Sequence, residues 1–141
     1  MTPQTQDDLV DMQKTWLPEI KDEESRLALA VAILALFASW QLHEVNQAAL
    51  LGVKDVSSLR AGEPLPQDIE VLERAGQLLA IGRALRNAFP NQLGQRTHWI
   101  SSPNDHLFGA TPLQYMLAGD VDTIRKIRSL SEHIHRGNTT S

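Results

Sequence analysis

Five histidines are the first side chains to weigh for chemistry: His43, His98, His106, His133 and His135. A helical zinc site needs two of them four residues apart with a glutamate beside the first, and no HExxH occurs here. His133 and His135 stand two apart, so on a helix they leave from different sides. The chain has no cysteine, which removes disulfides, thiol nucleophiles and thiolate metal sites. It also lacks a GxSxG elbow, a Walker loop and a dinucleotide glycine pattern. Carboxylates are plentiful, but none lies in an apolar setting that would tune its pKa. These residues point away from an enzyme, with no metal or cofactor expected, and toward binding.

Two segments have the residue types for binding. Residues 41–62, "QLHEVNQAALLGVKDVSSLRAG", place small residues in one helix, a glycine at a turn and an apolar anchor after it. A helix-turn-helix needs this pattern for a close helix crossing. Lys54, Ser57, Ser58 and Arg60 would then be the DNA-binding candidates, meeting phosphates or base edges. Lys54 and Arg60 are balanced by Glu44 and Asp55, so the same trihelical unit also reads as plain scaffold. The second segment is 121–141, where Arg125, Lys126, Arg128 and Arg136 outnumber Asp122 and Glu132, with His133 and His135 alongside. Basic residues suit any helix C-terminus, so a solvated last helix is one reading. The other is a tail that enters a partner's cleft, where desolvated arginine contacts are strong.

The totals narrow these options. Thirteen Lys and Arg stand against seventeen acids, a net charge of -4 over 141 residues. A protein whose sole partner is nucleic acid is usually basic. The apolar run at 27–38, "LALAVAILALFA", is too short to span a bilayer. The acids before it do not resemble a signal peptide's basic start. The reading is a cytoplasmic protein with no membrane partner and a buried first helix.

The elements that position these residues are helical throughout, because no alternating run suggests a strand. An acidic, flexible arm covers 1–22. Helices are predicted over 23–40, 43–51 and 55–60, then one long helix over 66–89 with Pro66 in its first turn and a stripe of Ile69, Leu72, Gly76 and Leu79. A polar linker is predicted at 91–97, and a short stretch around Trp99 follows. In "TPLQYMLAG", Thr111 can cap, Pro112 sits at the first helical position and Gln114 can close a capping box. Leu113, Met116 and Leu117 should face inward, and Gly119 should stop the turn. The last helix starts at Asp120 or Asp122, with Val121, Ile124, Ile127, Leu130 and Ile134 at helical spacing. The fold class is all-α.

The segment "WISSPNDHLFGATPLQYMLAGDVDTIRKIRSL" resembles the toxin-binding domain of the Xre/MbcA/ParS family of antitoxins. The matching residues are Trp99, Pro103, Asn104, Phe108, Gly109, Thr111, Pro112, Leu113, Met116, Gly119, Arg125 and Arg128. "LLGV", "RAG" and "LLAIGRALRNAFP" resemble that family's Xre-like helix-turn-helix and connecting helix. The resemblance implies a helix-turn-helix-like core at 23–90, a small toxin-binding domain at 97–137 and a disordered tail at 138–141. It implies a cytoplasmic type II antitoxin that occludes the active site of a RES-domain toxin, which consumes NAD+. A homodimer and operator DNA as a further partner are implied as well. Arg125, Arg128, His133, His135, Arg136 and Gly137 are then the toxin-binding candidates. Trp99, Asn104, Phe108, Pro112, Leu113, Met116 and Gly119 would hold the toxin-binding domain together. Removal of everything after Asp120 is expected to leave the first domain helical. Three departures stand out: a 52–62 segment about two residues short, Ser58-Leu59 where an aromatic and a basic residue are usual, and Ala110 in place of a second glycine. The alternative function is a helix-turn-helix transcriptional regulator of its own operon.

Overall fold

The computed structural model describes residues 22–134. Among them are seven α-helices, one 3-10 turn and no strand. The expected acidic arm, apart from Asp22, lies outside the described residues. So do His135, Arg136, Gly137 and the 138–141 tail.

Helix α1 (Glu23–Ser39) starts where the Asp22 carboxylate accepts from the Ser25 N–H at 2.7 Å, with Glu23 and Glu24 in the positive first turn. The sequence reading makes this a buried helix, but only one side of its apolar run is buried. Ala30, Ile33, Leu36 and Phe37 face the core, while Leu27 and Val31 remain 38% and 63% exposed. Uniform hydrophobicity carries no periodicity, so the sequence cannot say which stripe faces inward.

Helix α2 (Glu44–Leu51) ends at Gly52, whose φ of 76° lies in the left-handed region; the Val53 N–H returns to the Ala48 carbonyl at 3.0 Å. Helix α3 (Ser57–Arg60) is a single turn held by buried Val56 and Leu59.

Helix α4 (Ile69–Ala88) begins three residues later than expected. The Asp68 carboxylate accepts from the N–H groups of Glu70 and Val71, so the cap lies at Asp68 and Pro66 stays outside. Its buried stripe is Val71, Leu72, Ala75, Leu78, Ile81 and Leu85. Ile69, expected in the stripe, is 58% exposed, because the helix starts there with its side chain off the core face.

Residues read as a polar linker form much of α5 (Leu93–Ser101). No side chain caps this helix. Tertiary contacts hold it instead: Ile100 is buried, and the Thr97 hydroxyl donates to the Ser39 carbonyl of α1 at 2.8 Å. A 3-10 turn (Asp105–Leu107) leads to α6 (Pro112–Leu117) and α7 (Val121–Glu132).

Helix α7 lies along α4 in the same direction, since Arg125 meets Glu73, Arg128 meets Gln77, and Ser131 shares a cleft with Ala80 and Ala84. Ile124 and Ile127 are fully buried there. A single cluster of buried side chains runs from Ala30 on α1 through α4 to Ile127 on α7. The segments 23–90 and 97–134 thus share one core. Removal of α7 would open that core, so a chain ending at Asp120 is not expected to keep its first part folded.

Candidate functional site

The short helix α6 is built by local chemistry. Thr111 Oγ accepts from the Gln114 N–H at 3.0 Å, and Gln114 Oε1 accepts from the Thr111 N–H at 3.0 Å. Pro112 occupies the first turn, where it removes no helix bond, and is buried together with Met116. Three residues after α6 ends, the Asp120 carboxylate accepts from the Asp122 N–H at 3.0 Å and starts α7. The Thr123 hydroxyl donates to the carbonyls of Asp120 and Met116, tying the first turn of α7 to α6.

Gly119 has a role other than the one read from sequence. Its φ is not left-handed, and Ala118 caps α6 in the right-handed region. A Cβ at Gly119 would fall 2.3 Å from the Thr123 γ-methyl. Space, and not turn geometry, requires glycine there.

The remaining expected core residues divide. Leu113 and Trp99 are half-buried against the core. The Asn104 side chain accepts from the His106 N–H at 2.9 Å and organises the loop. Phe108 is not in the core: it is fully exposed, with φ 57° and ψ 36°. The left-handed pair is Phe108–Gly109, so this backbone aims the aromatic ring outward.

On α7, Arg125 pairs with Asp122 one turn earlier and with Glu73 on α4. The hydrogen bond that Arg125 donates to Glu73 raises the Arg125 pKa above its ordinary value. Arg128 donates to Glu132 at 2.8 Å and to Gln77 at 3.1 Å. His133 Nδ1 lies 2.7 Å from the Ser129 carbonyl, which can only accept, so that nitrogen carries the proton. The two arginines therefore brace α7 on α4, and Lys126 projects outward between them.

The end of α7 comes down beside a cation that sequence reasoning missed, Arg83. A cleft of about 220 Å³ between α4 and α7 is lined by Arg83, Asn87, Ser131 and Glu132. Arg83 also lines a groove of about 490 Å³, together with Ala32, Ala35, Leu79, Arg86 and Arg96. Arg83 and Arg86 are three apart on α4, a spacing visible in the sequence. Arg96 came from the segment read as a linker.

The DNA-binding candidates lie elsewhere. Arg60 is paired with Glu44 at 2.7 Å, and both side chains are largely exposed. Ser57 donates through its hydroxyl and its N–H to Asp55, at 2.6 and 2.9 Å. The hydroxyl bond is the main cause of a lowered Asp55 pKa. Lys54 and Ser58 are exposed. Together these residues surround a one-turn helix with as many anions as cations. Among the described residues no group of His, Asp and Glu has metal-site geometry, and no helix is long and apolar enough to cross a membrane.

A comparison with characterised and uncharacterised sequences returns the protein y4oB of Sinorhizobium fredii (strain NBRC 101917 / NGR234), described as uncharacterized. It is 37% identical over 93 residues, covering 63% of this chain and 70% of y4oB. The chain belongs to the y4oB family. No protein-family model matches it. The likeness establishes kinship with y4oB, whose description assigns no activity.

Proposed function

We propose that this chain is the antitoxin of a type II toxin–antitoxin pair, not an enzyme, and that it neutralises a RES-domain, NAD+-consuming toxin by occluding its active site. One observation carries this reading. Helix α7 is braced along α4 through Arg125–Glu73 and Arg128–Gln77, so its last turn, with Ser131 and Glu132, is held at a fixed place beside Arg83. In this reading His135 and Arg136 are the residues that enter the toxin's cleft. The capping box of α6 and the Asp120 cap of α7 fix the other end of the same helix. Arg125 and Arg128 serve the toxin in this reading as supports of α7, and through their exposed edges as contacts. The proposed homodimer would use the exposed apolar face of α1, where Leu27 and Val31 lie.

The test co-expresses the full chain, or a chain ending at Ile134, with the product of the adjacent gene in a cytoplasmic host. Complex formation and cellular NAD+ are read in the same cultures. Preserved NAD+ with the full chain and depletion with the shortened one support occlusion by the tail. Preserved NAD+ with both would move the contact to the folded body. No complex and no NAD+ effect would end the antitoxin reading, and low-salt binding to the DNA upstream of the gene would then support the regulator.

A further inference from the structure

Three arginines line the groove between α1 and α4 without a counterion. Arg83 and Arg86 on α4 and Arg96 on α5 share it with Ala32, Ala35 and Leu79. Arg96 is held in place by donating from Nε to the Phe89 carbonyl at 3.0 Å. Arg60, Arg74, Arg125 and Arg128 all pair with carboxylates. Among the described residues no carboxylate pairs with Arg83, Arg86 or Arg96. The elements around the groove have none to offer, since no Asp or Glu occurs between Glu24 and Glu44 or between Glu73 and Asp105. Glu132 shares the neighbouring cleft with Arg83 but is engaged by Arg128 at 2.8 Å. Like charges gathered beside apolar side chains carry a cost that an anionic occupant would remove.

We propose that this groove is a docking site for an acidic, apolar peptide segment, and that its occupant is the chain's own residues 7–12, "DDLVDM". The carboxylates of Asp7, Asp8 and Asp11 match the three guanidinium groups, and Leu9, Val10 and Met12 match the alanine and leucine lining. Reach is sufficient. The chain from Asp11 to Asp22 can extend about 36 Å, and Ala32 lies only about 15 Å along α1 from Asp22. Tethering favours this segment over a free ligand, because a short linker holds it at an effective concentration of roughly millimolar order. Nucleic acid could meet the same arginines through phosphates, but the chain's net charge of -4 opposes it and the apolar lining offers a phosphate backbone nothing. Leu27 and Val31 lie about a quarter turn of α1 away from Ala32 and Ala35, so a dimer through the former leaves the groove open. The proposal is independent of the antitoxin reading.

The test uses the full chain carrying Gln6→Cys. The chain has no other cysteine, so a nitroxide label goes to that thiol alone, beside the proposed segment. The amide signals of Ala32, Ala35, Leu79 and Arg83 should be broadened by the label and recover when it is reduced. Adding Arg83→Gln and Arg86→Gln should cut that broadening about threefold or more, since two ion pairs are lost together. Both positions are exposed, and glutamine suits a helix about as well as arginine. Salt at about 1 M should act in the same direction on the chain with its arginines intact, so the result does not hang on one variant. Broadening that survives both treatments would mean that the arginines do not hold the segment, and would overturn the proposal. A mixture of labelled chain with unlabelled, isotope-enriched chain separates the two possible sources. Groove broadening as strong in the enriched chain would assign the occupant to a second copy and overturn the intramolecular contact. Absence of broadening in every sample would leave the groove to a ligand from outside the chain, also overturning it. None of these outcomes alters the toxin-binding test, whose readouts are complex formation and NAD+.

Discussion

Glu73 on α4 and Arg125 on α7, 52 positions apart, form an ion pair that spans the interface between the two helices. One turn later Gln77 and Arg128 repeat the contact with a neutral acceptor. These two rungs fix the register in which α7 lies on α4, above the buried Ile124 and Ile127. Burial supplies most of the energy of that interface, and the rungs supply its alignment.

Glu73→Gln should therefore have a small effect on stability. The Arg125 and Glu73 side chains are 44% and 26% exposed, so solvent screens the pair and its loss costs about 0.5 kcal/mol. The loss should shrink further in about 1 M salt, where the screening length is near 3 Å. Urea unfolding of parent and variant at low and high salt reads both effects. A cost of several kcal/mol that ignores salt would mean that the pair is far better desolvated than its exposure indicates.

Asp55 gives a pH-dependent prediction. Ser57 donates two hydrogen bonds to its carboxylate, which lowers the pKa below the ordinary aspartate value. A group with a lowered folded pKa stabilises the fold above its unfolded value and loses that contribution as pH falls through the folded value. The carboxyl resonance of Asp55 should thus titrate below the usual range. Ser57→Ala, which removes the hydroxyl bond, should bring the midpoint back toward it. An unchanged midpoint in the alanine variant would assign the shift to the backbone N–H alone.

The capping box of α6 is the best-defined local device in the chain. Thr111→Ala deletes the acceptor for the Gln114 N–H and should cost about 1 kcal/mol, within the range for N-cap losses. Thr111→Ser keeps the oxygen and should recover most of it. Because α6 and the Thr123 hydroxyl together seat the start of α7, amide exchange near Val121 to Ile124 should quicken in the alanine variant before the rest of the chain responds.

What could be read from the sequence depended on whether its cause was local. The all-helical class, the Thr111–Gln114 box and the α7 stripe of Ile124 and Ile127 follow from residues within two turns of each other. The start of α4 was displaced because Pro66 and Asp68 are both plausible helix starters, and only the direction of the Asp68 carboxylate decides between them. Helix α5 was invisible because it lacks a cap and depends on Thr97 reaching Ser39 on α1. Phe108 was read as core because hydrophobicity says nothing about a positive φ. The arginines of the α1–α4 groove were individually plain, and only the fold brings Arg96 beside Arg83 and Arg86.

The last prediction separates space from backbone geometry at Gly119. A Cβ there would lie 2.3 Å from the Thr123 γ-methyl, while the Thr123 hydroxyl is 3.5 Å away and engaged with the carbonyls of Asp120 and Met116. Thr123 cannot rotate clear without giving up those bonds. Gly119→Ala should consequently cost about 1–3 kcal/mol, the range for overpacking a closed site. Thr123→Ser removes only the obstructing methyl and keeps the donor. In that background Gly119→Ala should cost no more than a few tenths of a kcal/mol, giving a coupling of about 1 kcal/mol or more in a double-mutant cycle. If Gly119 were needed for a conformation closed to other residues, the serine would rescue nothing and the two costs would simply add.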